Sequence, residues 1–260
     1  MRLNVLRANP AGNITLFVLD PVPSGDRADV AARLMSLPGS NVEQVGFLCP
    51  PLQGGQGRME MAGGEFCGNA TRAFGMLTAQ RLGGLSQVLV EVSGCPGPVT
   101  VDVDWTSRSA RAGMPLPRSV LSAEAAGRSG FLVDLGGIAH FVVEDVSPCL
   151  EFFMAAEPLF QRLPGLEAYG VIFLDSRNGT ITPLVKVPAA DSLVWEGSCG
   201  SGSLAAAAVQ SRFAPDGPFV RDYIQPAGTI RVTIDRRDGG AVHAYIGGPV
   251  TLDSPVALTL

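Results

Sequence analysis

The sequence predicts an α/β protein made of two similar domains, on the strength of a repeated motif and a repeated order of elements. Residues 63–73 (GGEFCGNATRA) and 195–205 (WEGSCGSGSLA) are alike, because each places a cysteine before glycine and small polar residues. A proline-free segment with helical character follows each cysteine. Cys67 and Cys199 lie about half the chain apart, so we interpret the two halves as an internal duplication.

The first half reads as short strands with two helices between them. Runs of β-branched and aromatic residues predict the strands, and glycine and proline mark the turns. Val30, Leu34 and Leu37 share one face of the first helix. The predicted elements are strands at 2–7, 14–19, 45–48, 58–61, 87–92 and 99–105, and helices at 29–37 and 70–82.

The second half repeats this order after Pro115 and Pro117, which mark a domain boundary. Residues 204–209 are apolar on every side, which is typical of a buried helix. We expect strands at 130–134, 141–143, 171–174, 180–187, 229–234 and 242–246, and helices at 150–163 and 204–213. The predicted domains are 1–117 with Cys67 and 118–250 with Cys199, and a tail at 251–260 returns to the N-terminal domain.

The position of both cysteines at a helix start suggests chemistry. A helix N-terminus carries free backbone N–H groups and the positive end of the helix dipole. That end lowers the pKa of a nearby thiol and also binds a carboxylate. Because the arrangement occurs twice, we predict that Cys67 and Cys199 face one cleft and move a proton on and off a carbon acid.

Composition narrows the classes of partner and compartment. The formal net charge is −5 and no lysine–arginine run occurs, so we expect neither nucleic acid nor a membrane surface as partner. No apolar run is long enough to span a bilayer, and the N-terminus lacks a secretory apolar segment. Five cysteines without close pairing predict a reduced, cytoplasmic protein.

The same inventory predicts a protein without cofactor or metal. The sequence has two histidines, His140 and His243, and no Cys-x-x-Cys pair, which disfavours a zinc site. Lys186 is the only lysine, so a pyridoxal phosphate enzyme would have to form its Schiff base there. No phosphate-binding glycine loop is present.

Two motifs of the chain resemble those of a known family. The runs 67–72 (CGNATR) and 199–202 (CGSG) are similar to those of the diaminopimelate epimerase superfamily, the pyridoxal-phosphate-independent amino acid racemases and epimerases. Residues 10–13, 137–140 and 247–250 add weaker support in the same order. The resemblance implies two pseudo-symmetric domains, each a mixed β-sheet or barrel wrapped around a central helix.

The resemblance also implies a two-base mechanism. In that family one cysteine thiolate removes the α-proton and the thiol of the other returns a proton to the opposite face, and Cys67 and Cys199 match the two cysteines. Residues that match donors to the carboxylate and amino group of the substrate are Gly68, Asn69, Gly200 and Ser201. Asn13 matches a further substrate contact.

Three other residues match supporting roles. His140 corresponds to the family's supporting histidine, and Glu196 is the candidate for its supporting acid. Glu65, two residues before Cys67, is the symmetric candidate in the first half. The role of Arg72 stays open between a partner for an acid and a cap on a loop.

Departures from the epimerase pattern bear on the substrate. The turn at 136–140 (GGIAH) lacks the asparagine that diaminopimelate epimerases use for the far end of their substrate, and 185–191 (VKVPAAD) lacks their arginine. Gly170 stands where another distal asparagine is expected. The run 187–192 (VPAADS) looks more like the histidine racemases that feed opine-type metallophore synthesis, so the resemblance favours that branch.

Other readings stay open from the sequence. A diaminopimelate epimerase of lysine and peptidoglycan synthesis is one, and a non-catalytic amino acid or anion binder on the same fold is another. A dithiol redox protein would use Cys67 and Cys199 as a disulfide, and related isomerases use a carboxylate in place of the cysteines. The expected partner is a small amino acid, and a homodimer stays open.

Overall fold

The structure is a computed structural model that describes residues 1–39 and 41–260. It contains four α-helices and eighteen strands in these residues, with three short 3-10 helices. Up to residue 114 the elements are β1 (Arg2–Asn9), β2 (Thr15–Val18), α1 (Arg27–Met35), β3 (Gln44–Cys49), β4 (Gly57–Met61), α2 (Gly68–Arg81), β5 (Gln87–Val92), β6 (Val99–Asp104) and β7 (Ser109–Met114).

The remaining elements follow in chain order. They are β8 (Ser119–Ala125), β9 (Arg128–Asp134), β10 (Ile138–Glu144), α3 (Leu150–Ala156), β11 (Ala168–Leu174), β12 (Ile181–Val187), β13 (Ser192–Trp195), α4 (Gly200–Ser211), β14 (Gly217–Gln225), β15 (Gly228–Arg237), β16 (Gly240–Pro249), β17 (Thr251–Leu252) and β18 (Val256–Thr259). The 3-10 helices are Ser24–Asp26, Glu157–Arg162 and Pro188–Ala190. None of the described helices is long and apolar enough to cross a bilayer.

The chain divides into two compact units. Unit 1 is Met1–Gly113 with Gly247–Leu260, and unit 2 is Met114–Ile246. The C-terminal strands β17 and β18 both pair antiparallel with β1, which joins the last residues to unit 1. The domains predicted from the sequence, 1–117 and 118–250 with a tail at 251–260, stay a prediction.

Both units repeat one order of strand pairings. In unit 1, β1 pairs antiparallel with β2, β2 parallel with β3, and β3 antiparallel with β4. In unit 2, β9 and β10, β10 and β11, and β11 and β12 pair in the same three directions. These mixed sheets confirm the predicted α/β class with pseudo-symmetric units.

The helix that follows each cysteine is the centre of its unit's core. All residues from Gly68 to Ala79 of α2 are buried, and α4 is buried over nearly its whole length. Gly75 is needed in α2 because a Cβ there would come within 2.5 Å of the Val101 side chain on β6. The prediction that the helix at 204–213 is buried is therefore confirmed, with its start at Gly200.

Several local predictions were incomplete or wrong. Strands β7, β8, β13, β14, β17 and β18 were not predicted. The helix predicted at 150–163 is α-helical only over Leu150–Ala156, because Pro158 enters the chain just beyond it and a 3-10 helix follows. His140 was expected in a turn, but it lies in β10, which pairs with both neighbouring strands and is buried.

Candidate active-site residues

Cys67 is the N-cap of α2. Its backbone is extended (φ −126°, ψ 110°), and its Sγ atom accepts a hydrogen bond from the backbone N–H of Ala70 at 3.4 Å. The loop before it is held by Ser93, whose hydroxyl donates to the carbonyl of Glu65 at 2.8 Å. A sulfur in this position takes the place of the Ser or Asp oxygen that commonly caps a helix, and so lies against free N–H groups.

The groups around Cys67 shift the pKa of its thiol in opposite directions. Burial raises the pKa of the Cys67 thiol, and the negative charge of Glu65 raises it further. Hydrogen bonds from the backbone N–H groups of Ala70 and Asn69 and from the side chain of Gln44 lower the same pKa. The thiolate of Cys67 therefore depends on hydrogen bonds and charge in its neighbourhood.

A polar cluster that the sequence did not reveal lies beside Cys67. Gln44 donates to Asn13 Oδ1 at 2.6 Å and to Thr15 Oγ1 at 2.7 Å, and Asn13 Nδ2 donates to Glu43 Oε2 at 2.7 Å. Burial raises the pKa of Glu43. The parallel pairing of β2 with β3 sets Thr15 opposite Gln44 and so brings the cluster together. The polar residues at the start of an apolar strand, 43–44, were the available signal.

Cys199 is the N-cap of α4 and is 8% exposed. Its Sγ atom accepts from the backbone N–H of Gly202 at 3.3 Å, and the hydroxyl of Ser201 lies 3.4 Å from it. Gly202 packs closely here, because a Cβ at this position would be 2.6 Å from Ile172 Cδ1 and 3.1 Å from the sulfur. Unit 2 thus repeats the capping geometry of Cys67.

Gln225 supports the backbone of Cys199. Its Oε1 atom accepts from the Cys199 N–H at 2.6 Å, and its Nε2 donates to Ser203 Oγ at 3.0 Å. Ser203 Oγ in turn donates to the carbonyl of Cys199 at 2.8 Å. Gln225 was missed in the sequence because it lies in β14, a strand that was not predicted.

His140 reaches Cys199 through Ser201. His140 Nε2 lies 2.8 Å from Ser201 Oγ, and Nδ1 has no hydrogen-bond partner among residues 1–39 and 41–260. The imidazole is fully buried, and burial lowers its pKa to about 3. His140 is therefore neutral at physiological pH, so it acts by hydrogen bonding rather than as a charged group.

The remaining predicted residues lie close to the two cysteines. Gly68 and Gly200 are the first residues of α2 and α4, and Asn69 is 2% exposed in the first turn of α2. Glu65 is exposed in the loop before Cys67, and Glu196 is partly buried with its backbone N–H donating to Pro183. Each predicted residue therefore lies at one of the two helix starts or beside it.

No three His, Cys, Asp or Glu side chains in the described part of the chain are placed to share a metal ion. All five cysteines are free thiols in the structure. Each helix start combines a capping sulfur with backbone N–H groups and hydrogen-bonding side chains.

The chain is similar in fold to a solved structure and similar in sequence to known proteins. The chain covers 100% of a Bacillus anthracis phenazine biosynthesis protein of the PhzF family, and is covered 100% by it, with a TM-score of 0.73 at 12% identity. Two curated histidine racemases are similar in sequence. One, from Fusobacterium nucleatum, is 29% identical over 96% of this chain and 94% of its own length, and one from Staphylococcus aureus is 27% identical over 94% and 92%.

The fold and the relatives together define the class: the protein is an isomerase, an amino acid racemase on a two-unit fold. The family model described as the histidine racemase CntK N-terminal domain matches residues 2–255. The chain belongs to that family. The resemblance to the pyridoxal-phosphate-independent racemases, on the histidine racemase side, is thereby confirmed.

Proposed function

We propose that this protein is a histidine racemase that inverts the α-carbon with Cys67 and Cys199 as its two proton carriers. The observation that carries the proposal is the duplicated capping geometry. Each cysteine caps a buried helix of 14 or 12 residues and accepts a backbone N–H of its first turn. A solitary buried cysteine would be ordinary packing, but the same device in both units favours a paired role.

The proposed reaction transfers one proton in each direction. The thiolate of one cysteine takes the α-proton and becomes a thiol, and the electron pair stays on the α-carbon, delocalised into the carboxylate. The thiol of the other cysteine then gives its proton to the opposite face of the carbanion and becomes a thiolate. Reversing the two roles carries the opposite enantiomer through the same states.

The carbanion needs electrostatic stabilisation, since we propose no cofactor as electron sink. The N–H groups at the starts of α2 and α4 supply fixed dipoles for a carboxylate, and Gly68 and Gly200 leave that backbone open to close approach. Asn69, Ser201 and Asn13 are the proposed side-chain donors. Because these dipoles are held by folded helices, they need little reorganisation during the reaction.

The supporting residues take different parts in this proposal. His140 holds the Ser201 hydroxyl beside the Cys199 sulfur, at distances of 2.8 and 3.4 Å. Glu65 and Glu196 precede the two cysteines and tune the local charge.

The histidine substrate is proposed from the relatives and from the missing asparagine and arginine of the epimerase pattern. D-Histidine produced in a reducing cytoplasm would then enter opine-type metallophore synthesis. A homodimer is the accompanying proposal for the oligomeric state.

The test is exchange of the α-proton in D₂O. Reduced, pyridoxal-free protein is incubated separately with L-histidine, diaminopimelate, L-glutamate and L-lysine, and the loss of each α-proton signal is followed by NMR. We expect exchange with histidine and formation of D-histidine by chiral chromatography. Exchange with diaminopimelate alone would reject the proposed substrate, and unchanged racemisation by Cys67→Ser or Cys199→Ser would reject the two-base chemistry.

A further inference from the structure

Arg72 is a buried cation that has no acidic partner among residues 1–39 and 41–260. The whole residue is 0% exposed, and it is the largest fully buried side chain of the described chain. Its Nε and Nη2 atoms donate to Asn69 Oδ1 at 3.2 and 3.1 Å, Nη2 donates to the carbonyl of Pro10 at 2.8 Å, and Nη1 donates to the carbonyl of Pro249 at 3.1 Å. All three acceptors are neutral oxygens.

Such a cation is costly in a folded protein. Burial lowers the pKa of Arg72 to about 10, and the group that opposes this shift is the charge of Cys67. Buried charges are normally paired with an opposite charge, because their hydration is lost on folding. An arginine that keeps its charge against this cost, close to a sulfur whose thiolate is disfavoured by burial, suggests that the two charges serve each other.

The charged groups around Cys67 within unit 1 are few. Glu65 precedes it in the loop from β4, Glu43 lies beyond Asn13 at the start of β3, and Arg72 lies on α2 itself. Glu65 disfavours a thiolate through its negative charge. The guanidinium of Arg72 binds the side chain of Asn69, whose backbone N–H donates to the sulfur, so its positive charge lies close enough to favour the thiolate. Gln44 and the backbone N–H groups contribute only hydrogen bonds.

Arg72 also fixes the amide of Asn69. Two of its N–H groups point at Asn69 Oδ1, so the amide oxygen faces the guanidinium and the amide nitrogen faces away from it. The same guanidinium ties the turn before Asn13, through Pro10, to α2 and to the C-terminal segment at Pro249. One side chain therefore holds two of the proposed substrate donors in place.

We propose that Arg72 is a positioning residue for the racemase: it is the fixed counter-charge that favours the thiolate of Cys67, and it orients Asn69 as a donor to the substrate carboxylate. This inference rests on the proposed function for the role of Asn69. The charge effect on Cys67 is independent of any substrate. The charge effect accounts for the presence in unit 1 of a buried arginine that forms no ion pair with a described acidic side chain.

The charge effect is tested by alkylation without substrate. Wild type, Arg72→Met and Arg72→Lys are treated with iodoacetamide over a series of pH values, and modification of Cys67 and Cys199 is followed in the same sample by peptide mass spectrometry. We expect Arg72→Met to alkylate Cys67 about tenfold more slowly near neutral pH, because less of the thiol is ionised. Arg72→Lys keeps the charge and stays within about threefold of wild type.

Cys199 is the internal control, since a general loss of structure would change both cysteines. A second variant, Asn69→Asp, covers the case in which Arg72→Met does not fold. It places a carboxylate against the guanidinium, so we expect the fold to be retained, the positive charge of Arg72 to be neutralised, and alkylation of Cys67 to slow as in Arg72→Met. Equal rates at Cys67 in wild type and in the folded variants would overturn the counter-charge role. An equal change in the alkylation rates of Cys67 and Cys199 would also overturn the counter-charge role.

The orientation of Asn69 is tested by kinetics. Arg72→Lys cannot hold the amide oxygen with a planar fork, so we expect KM for histidine to rise about tenfold while kcat falls less. Combining it with Asn69→Ala should add little, since both changes remove one donor. If the effects of the two changes on KM were fully additive, the role of Arg72 in orienting Asn69 would be overturned. Absence of racemisation with the alkylation shift intact would reject the proposed function and leave the counter-charge role standing.

Discussion

The two helix starts of this protein use one backbone arrangement with different side chains around it. Cys67 and Cys199 both cap buried helices, and in both units a hydroxyl four residues later donates to the cysteine carbonyl, at 2.7 Å from Thr71 and 2.8 Å from Ser203. Around Cys67 two neighbours, Arg72 and Glu65, carry charge.

Around Cys199 a chain of neutral side chains, Gln225, Ser201 and His140, makes hydrogen bonds. Gln225 holds its backbone N–H, and Ser201 links its sulfur to an imidazole that burial keeps uncharged. The duplicated backbone therefore supplies similar dipoles to both sulfurs, whereas the side chains adjust the pKa of each thiol separately. In the proposed mechanism the two thiols begin in opposite protonation states, and this inequality would favour that starting state.

The largest expected effect tests whether both cysteines are needed. Replacing Cys67 or Cys199 by serine removes one of the two proposed proton carriers, because a hydroxyl is a far weaker acid than a thiol. We expect racemisation of L-histidine and of D-histidine to fall by about 10²–10⁴-fold in either variant. Initial rates by chiral chromatography measure it. If one variant kept a rate within tenfold of wild type, the replaced cysteine would not be a proton carrier, and the two helix starts would differ in function.

The next effect separates the neutral imidazole of unit 2 from the charged groups of unit 1. The pKa of His140 is about 3 in the folded protein and about 6.5 when unfolded, so between these values the unfolded state binds more protons. Stability is therefore complete above about pH 6.5 and is lost as the pH falls toward 3. We expect the free energy of unfolding to drop by about 2 kcal/mol from about pH 7 to pH 5 on account of His140.

The control for this prediction is His140→Gln, whose amide can still hydrogen-bond Ser201 and does not titrate. Urea denaturation of both proteins at the two pH values gives the difference. The same pH dependence in wild type and variant would show that His140 does not titrate with the shift described.

A smaller effect compares the two hydroxyls that hold the cysteine carbonyls. Thr71→Val removes one hydrogen bond, whereas Ser203→Ala also leaves the buried Nε2 of Gln225 without its acceptor. We expect losses in the free energy of unfolding of about 1 kcal/mol for Thr71→Val and about 2 kcal/mol for Ser203→Ala. Chemical denaturation measures both. Equal losses would indicate that Gln225 gains nothing from Ser203.

The smallest effect concerns the acids that precede the cysteines. Glu65 is exposed and raises the pKa of the Cys67 thiol through its charge, so Glu65→Gln should lower that pKa and speed alkylation of Cys67 by no more than about threefold. Added salt should reduce the difference between variant and wild type. Glu196→Gln is the matched change beside Cys199 and should leave Cys67 unaffected. A large response of Cys67 to Glu196→Gln would contradict separate control of the two thiols.

Much of the candidate site could be predicted from local pattern. Cysteine before glycine and a helical segment identified Cys67 and Cys199, and the apolar run at 204–209 required burial of α4. Two predictions failed for local reasons. Glycines at 200 and 202 hid the first turn of α4, and the glycine pair before His140 suggested a turn where β10 begins. The distant partners, Gln44 at Cys67 and Gln225 at Cys199, were not predictable, because these hydrogen bonds connect residues far apart in sequence.

The sequence alone determined the duplicated design and the isomerase class, and it predicted the role of the two sulfurs, since helix starts, buried stripes and motif spacing are properties of short segments. Only the tertiary structure decided how each sulfur is surrounded. Parallel pairing of β2 with β3 set Gln44 beside Thr15 and within hydrogen-bonding reach of Cys67, and β14 brought Gln225 to Cys199. The fate of Arg72 was also decided there, because burial and charge compensation depend on which segments of the chain close around a side chain.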